Sequence, residues 1–195
     1  IRVDVPCKDY LHEAHENGLT ILNASPESGS PEILLRMKKT TNPETYLKSA
    51  RDLITESSKM DKLILKLNYL FYAGENPQTI GETLSFVFGL RDKIRGVSFS
   101  PLMVYPGTFT SKNMPEYHRK FGSTLIRDSF WDSMRIYPCH ISNHFSFEET
   151  SYLSGVLDKL FNHPRYFYKT MEYKYGTKDR KDSRSKILSA KFGRL

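Results

Sequence analysis

The sequence predicts an α/β protein built on a parallel sheet, open or closed. Three observations carry this. The stretch Asp61 to Thr79, DKLILKLNYLFYAGENPQT, opens with an apolar run broken only by Lys66 and Asn68. Such a run suits a strand buried on both faces. Gly74 then ends the strand, Asn76 is a natural helix N-cap, and Pro77 fits the first helical position. Finally, strands alternate with helices in the order βαβα(α)βαβ as far as Val104, a pattern of right-handed crossovers.

Taken in order, residues 1–5 (IRVDV) alternate apolar and charged side chains and read as a short strand ended by Pro6. Residues 8–17 form a helical pattern with Tyr10, Leu11 and Ala14 on one stripe and Gly18 as C-cap. His12 and His15 lie three apart, but nothing nearby completes a metal set. Leu19 to Ala24 is the next expected strand, running into SPESGSPEILLRM. There Ser30 and Pro31 open a helix, leaving Glu27, Ser28 and Gly29 on the turn above a strand's C-terminal end. In parallel α/β proteins that edge carries the active site. A capping loop accounts for Gly29 and Ser30 but not for the carboxylate of Glu27.

A helix over about 43–58 follows, opened by Asn42 and Pro43. After the organising strand, in which Lys66 and Asn68 share one face, a helix is expected from Pro77 to about Leu90. Gly96 to Val104 is a further strand ending in Tyr105-Pro106-Gly107-Thr108. Residues 109–146 read as loop, rich in aromatics, Ser, His and Pro. Cys139, His140 and His144 have spacings that suit a metal, but no second half-site exists, so no metal site is assigned. Residues 147–162 form an amphipathic helix with Phe147, Leu153, Val156, Leu157, Leu160 and Phe161 on its core side, stopped by His163-Pro164.

The bulk numbers bound the function. At 195 residues the chain can bury a full core. No apolar run approaches the roughly 20 residues that span a bilayer, so no membrane role is expected. The N-terminus has no secretory pattern and no initiating Met, which reads as a fragment or processed chain. Two distant cysteines, Cys7 and Cys139, suggest a reducing cytoplasm. Of the net charge of +7, the tail from Lys174 onward supplies +6, from eight Lys/Arg against two Asp. The body is nearly neutral, so nucleic acid is not expected as its partner. The five aromatics and basic residues of 165–176, with that tail, keep a nucleic-acid-binding module open as an alternative. A second alternative is a cofactor-independent α/β binding protein or aldolase-like piece using Lys66 for Schiff-base chemistry.

The motifs and their order resemble the radical S-adenosylmethionine (radical SAM) superfamily, and more narrowly its B12-binding-domain-associated branch. The matching residues are Glu27-Ser28-Gly29-Ser30, Met37-Lys38-Lys39, Gly74-Glu75 and Pro106-Gly107-Thr108, with Asn76 where threonine is usual. IRVDV resembles the third barrel strand. The resemblance implies that residues 1–110 are the C-terminal part of a parallel (β/α), TIM-like partial barrel. Residues 111–173 would then be an aromatic loop and helical extension, and 174–195 a basic tail. It implies an enzyme that cleaves S-adenosylmethionine at a [4Fe-4S] cluster to make a 5′-deoxyadenosyl radical, with cobalamin and methyl transfer as the branch's further possibilities. Its partners would be a small-molecule or peptide substrate and an electron donor such as flavodoxin or ferredoxin. The CxxxCxxC loop that ligates the cluster is absent, so this chain alone is expected to be inactive. By position, the resemblance gives cofactor contacts to Glu27, Ser28 and Ser30, to Lys66 and Asn68, and to the backbone around Tyr105. Two simpler roles stay open: the ESGS turn as a helix cap, and Lys66 as the ion-pair partner of Glu27.

Overall fold

Ile21–Glu27 (β1), Ile64–Leu70 (β2) and Gly96–Ser100 (β3) form a parallel three-stranded sheet in the order β1-β2-β3. The computed structural model describes residues 1–5, 8–60, 63–94 and 96–162. The helices of this half are Lys8–Glu16 (α1), Pro31–Arg36 (α2), Pro43–Lys59 (α3) and Pro77–Phe88 (α4). A second, small antiparallel sheet follows, in which Met103–Val104 (β4) and Thr124–Leu125 (β5) flank Tyr137–His140 (β6). Its helices are Phe109–Phe121 (α5), Ser129–Met134 (α6) and Phe147–Phe161 (α7). The architecture is mixed α/β, and no closed barrel forms among the described residues.

Local chemistry sets the helix starts. The Asn42 side chain accepts the backbone N–H of Thr45, with Pro43 in the first turn of α3. Asn76 and Thr79 form a reciprocal capping box at α4. The second half of the ESGS turn behaves differently from expectation. Ser30 is the N-cap residue of α2, but its hydroxyl makes no cap and donates instead to Glu82 of α4.

One face of the parallel sheet is the core. Leu22, Ala24, Leu65, Leu67, Tyr69, Val97 and Phe99 are all buried there, at the alternate positions that a strand sends to one side. Tyr69 stacks on Phe99 with ring centroids 5.1 Å apart. The other face is less covered: Ile64 is buried there, but Ile21 and Asn23 are exposed. Lys66 is exposed and Asn68 half-buried, so β2 is not the doubly buried strand that its apolar run predicts.

Each edge of the sheet has its own guard. On the β1 side, the N-terminal ammonium of Ile1 donates to the Asn23 carbonyl and the Ile1 carbonyl accepts Ser25 N–H. This is the bond pattern of a single parallel pairing. Residues 1–5 are otherwise not a strand: the chain turns at Val3 and Asp4, where Arg2 and Asp4 pair with each other at 2.7 Å. On the β3 side, Asn162 at the end of α7 accepts Val97 N–H and donates to the Val97 carbonyl, while Asp158 accepts Phe99 N–H.

Other expectations are corrected. The strand over 96–104 breaks at Pro101, which has no N–H to donate, and β4 joins the second sheet instead. Residues 109–146 hold two helices and two strands rather than a loop. Tyr10 on α1, and Val156 and Leu160 on α7, are exposed, not core. The His163-Pro164 stop, the aromatic segment 165–176 and the basic tail lie outside the described residues, as do Pro6 and Cys7.

Candidate functional site

The less covered sheet face carries a ladder of small and polar side chains. Asn23, Lys66 and Gly96 form its first rung by register. Ser25, Asn68 and Ser98 form the second, where the Asn68 amide reaches the Ser25 hydroxyl at 3.4 Å. Leu70 and Ser100 form the third. Gly96 offers no side chain beside Lys66, whose Cγ lies 3.9 Å from where a Cβ would stand. Among the described residues the Lys66 ammonium has no ion pair and no hydrogen bond. Lys66 does not pair with Glu27, which meets Lys39 instead.

At the C-terminal end of β1 the register slips between Ala24 and Glu27, leaving Glu27 opposite Tyr69. Glu27 takes a left-handed backbone, φ 69°, and Ser28 N–H bonds back to the Pro26 carbonyl at 2.9 Å. An i to i+2 bond around a positive φ is the signature of a strained γ-turn. Lys39 Nζ holds Glu27 Oε1 at 2.8 Å. Tyr46, whose hydroxyl donates to the Ser25 and Pro26 carbonyls, braces the turn from α3. Burial, with the charges of Asp4 and Glu27 nearby, raises the Tyr46 phenol, so it stays a donor.

Ser28 and Ser30 are fully buried and their hydroxyls are engaged by α4. Ser28 Oγ pairs with Thr83 Oγ1 at 2.9 Å and accepts Ser30 N–H, and Gly29 N–H donates to the same Thr83 oxygen at 3.0 Å. Gly29 lies so close to α4 that a Cβ would stand 2.6 Å from Phe86 Cβ and 2.8 Å from Thr83 Cα. The turn is thus a docking joint between β1 and α4. Tyr105 is exposed at the end of β4, in the second sheet, and its carbonyl accepts the Thr108 hydroxyl at 2.7 Å. The structure brings Lys66 and Asn68 onto one face, sets Glu27 on the rim of β1, and leaves Tyr105 outside this group.

One titratable group escaped the sequence reading in its own right. Glu75, in the turn between β2 and α4, is 1% exposed. Burial pushes its carboxyl up to about 8, against the opposing pull of the Tyr72 N–H and the Arg36 guanidinium. Tyr72 N–H donates to Oε1 at 3.0 Å, while Oε2 has no hydrogen-bond partner. The turn is crowded: Gly74, at φ 84°, sits where a Cβ would meet Arg36 Nη1 at 2.6 Å and Phe121 at 2.7 Å. Its N–H and the Glu75 carbonyl bond to Ile141 and Ser142 of the second half. The sequence carries this acid only as half of the Gly74-Glu75 pair before an N-cap, with no sign of its burial.

No group of three or more His, Cys, Asp or Glu able to hold a metal forms among the described residues. Cys139 is buried, with its thiol pushed up to about 12 by desolvation. His140 Nδ1 accepts the Phe147 N–H at 3.1 Å and His15 bonds to the Leu19 carbonyl. No helix among the described residues is long and apolar enough to cross a membrane. No family model matches the chain, and no curated protein matches it significantly.

Proposed function

We propose that this chain is the downstream part of a radical S-adenosylmethionine enzyme and contributes part of that cofactor's binding surface. The observation that carries the reading is the parallel sheet with the core on one face and a polar ladder on the other, with the ESGS turn at its C-terminal end. Ligands in α/β proteins bind at that end of the strands. The donor set suits the cofactor's groups. Lys66 offers a cation to a carboxylate, Asn68 offers an amide to hydroxyls, and Glu27 accepts from hydroxyl or ammonium groups. Ser28 and Ser30 act by fixing the turn that carries Glu27.

The residues present do not fit a [4Fe-4S] cluster, which needs three thiolates on one loop. The chain has two cysteines, and Cys139 is buried and protonated. The thiolates of such a cluster would therefore come from outside residues 1–195, with flavodoxin or ferredoxin as the electron donor and cobalamin as a further cofactor of the branch. In an enzyme of this kind the substrate would be a small molecule or peptide, and this chain's share would be to hold S-adenosylmethionine through Lys66, Asn68 and Glu27. The cytoplasm is the compartment such chemistry favours. Schiff-base chemistry at Lys66 draws no support from its position, since an amine nucleophile is activated by desolvation and Lys66 is exposed.

Equilibrium dialysis of the full chain against labelled S-adenosylmethionine tests the reading. Saturable binding is expected, displaced by S-adenosylhomocysteine and weakened about tenfold in Lys66→Met, the worth of one charge-assisted contact. A wild-type chain that shows no saturable binding would overturn it.

A further inference from the structure

The Glu27–Lys39 pair is built with more backbone strain than an ordinary surface ion pair. Among the described residues only three non-glycines have positive φ: Glu27 (69°), Lys38 (53°) and Arg135 (52°). Glu27 is one partner of the ion pair, and Lys38 immediately precedes the other. Helix α2 ends in paired bonds from Lys38 N–H to Leu35 and from Lys39 N–H to Leu34, the pattern in which glycine usually takes the left-handed position. That reversal sends Lys39 back toward β1. Its carbonyl is held by Arg2 Nη2 at 2.8 Å, and Arg2 is itself fixed by Asp4. A left-handed non-glycine residue is strained and persists only where its surroundings over-determine it. The pair spans 2.8 Å with both side chains about a fifth exposed (21% and 23%), so Glu27 is partly desolvated yet still reachable.

We propose that Lys39 is a positioning residue for Glu27. Its ammonium takes Oε1 and holds the γ-turn, so that Oε2 is presented at the rim of β1 to a hydroxyl or ammonium group of a ligand over the strand ends. This rests on the reading that the rim belongs to an S-adenosylmethionine site. Lys39 itself touches no ligand.

The test uses the full chain and Lys39→Met, Lys39→Arg, Glu27→Gln and the Glu27→Gln/Lys39→Met double variant. Two quantities are measured: S-adenosylmethionine affinity by dialysis, and the Glu27 backbone and Cβ chemical shifts by NMR. Lys39→Met is expected to weaken binding about fivefold and move the Glu27 shifts to ordinary extended values. Lys39→Arg restores both, and the double variant binds no worse than Glu27→Gln, the non-additivity of one coupled unit. Wild-type affinity with unmoved shifts in Lys39→Met overturns the proposal. So does an affinity loss that Lys39→Arg fails to restore. If the wild-type chain binds no S-adenosylmethionine, the functional reading falls by itself and the shifts alone decide. Glu27 shifts that move in Lys39→Met and return in Lys39→Arg uphold the positioning role, and unmoved shifts refute it.

Discussion

The ESGS turn and the polar face of the parallel sheet both offer hydroxyls, amides and charges, yet they use them oppositely. In the turn, Ser28, Gly29 and Ser30 are bonded to Thr83 and Glu82 of α4. On the face, Lys66 and Ser100 stand exposed and only Asn68 reaches a neighbour, Ser25. Polar residues at a strand's end therefore mark a ligand site only if the fold leaves their atoms unspent. By that measure the turn is a joint, and the face is where polar atoms remain unspent.

The sharpest way to break the contrast is Gly29→Ala. A methyl 2.6 Å from Phe86 Cβ forces α4 away from β1, and overpacking of this kind costs about 1–3 kcal/mol or more. Urea unfolding should show that loss. A loss within about 0.5 kcal/mol would mean that the joint is loose.

At least as large is the pH response of the neighbouring turn. The Glu75 carboxyl, ordinarily near 4.5, rises to about 8 in the fold. The folded protein thus holds a proton that the unfolded chain releases between those values. Stability is full below about pH 4.5 and declines as pH rises to about 8. At about 1.4 kcal/mol per pH unit, a few kcal/mol are at stake. Glu75→Gln should flatten the profile of denaturation midpoints between about pH 5 and 9. Parallel profiles for the two proteins would show that the acid is ionised in the fold.

Thr83→Val keeps the shape but removes the oxygen that accepts Gly29 N–H and meets Ser28. Leaving those groups unsatisfied should cost about 1–3 kcal/mol. The smallest effect belongs to the face. Lys66→Met should leave stability within about 0.5 kcal/mol while weakening ligand binding. A stability loss as large as that of Thr83→Val would make Lys66 a structural residue.

What was legible in the sequence was local. Asn42-Pro43 and Asn76-Pro77 announce helix starts because a cap needs only its own turn. β2 announces itself by an apolar run, and the shared side of Lys66 and Asn68 follows from strand geometry. Helix α5 was missed because it buries only Met114 and Tyr117 and contains Pro115, so its apolar period is faint. The pairing of Glu27 with Lys39 rather than Lys66 depends on where α2 reverses. The upward shift of the Glu75 carboxyl depends on its burial in a turn tied to the second half through Ile141 and Ser142. Both are tertiary facts with no local sign.

The bond from Asn162 to Val97 has a consequence for how this chain behaves in company. A parallel sheet of three strands has two edges, each a template on which another chain can add a strand. Here the β3 edge is closed by one carboxamide that copies a backbone peptide, with Asp158 beside it. On the β1 edge, Ile1 bonds the Asn23 carbonyl and the Ser25 N–H. Fraying the last turn of α7 would expose Val97 and Phe99 to a second copy. The folded state of that one turn is therefore what denies the β3 edge to an added strand.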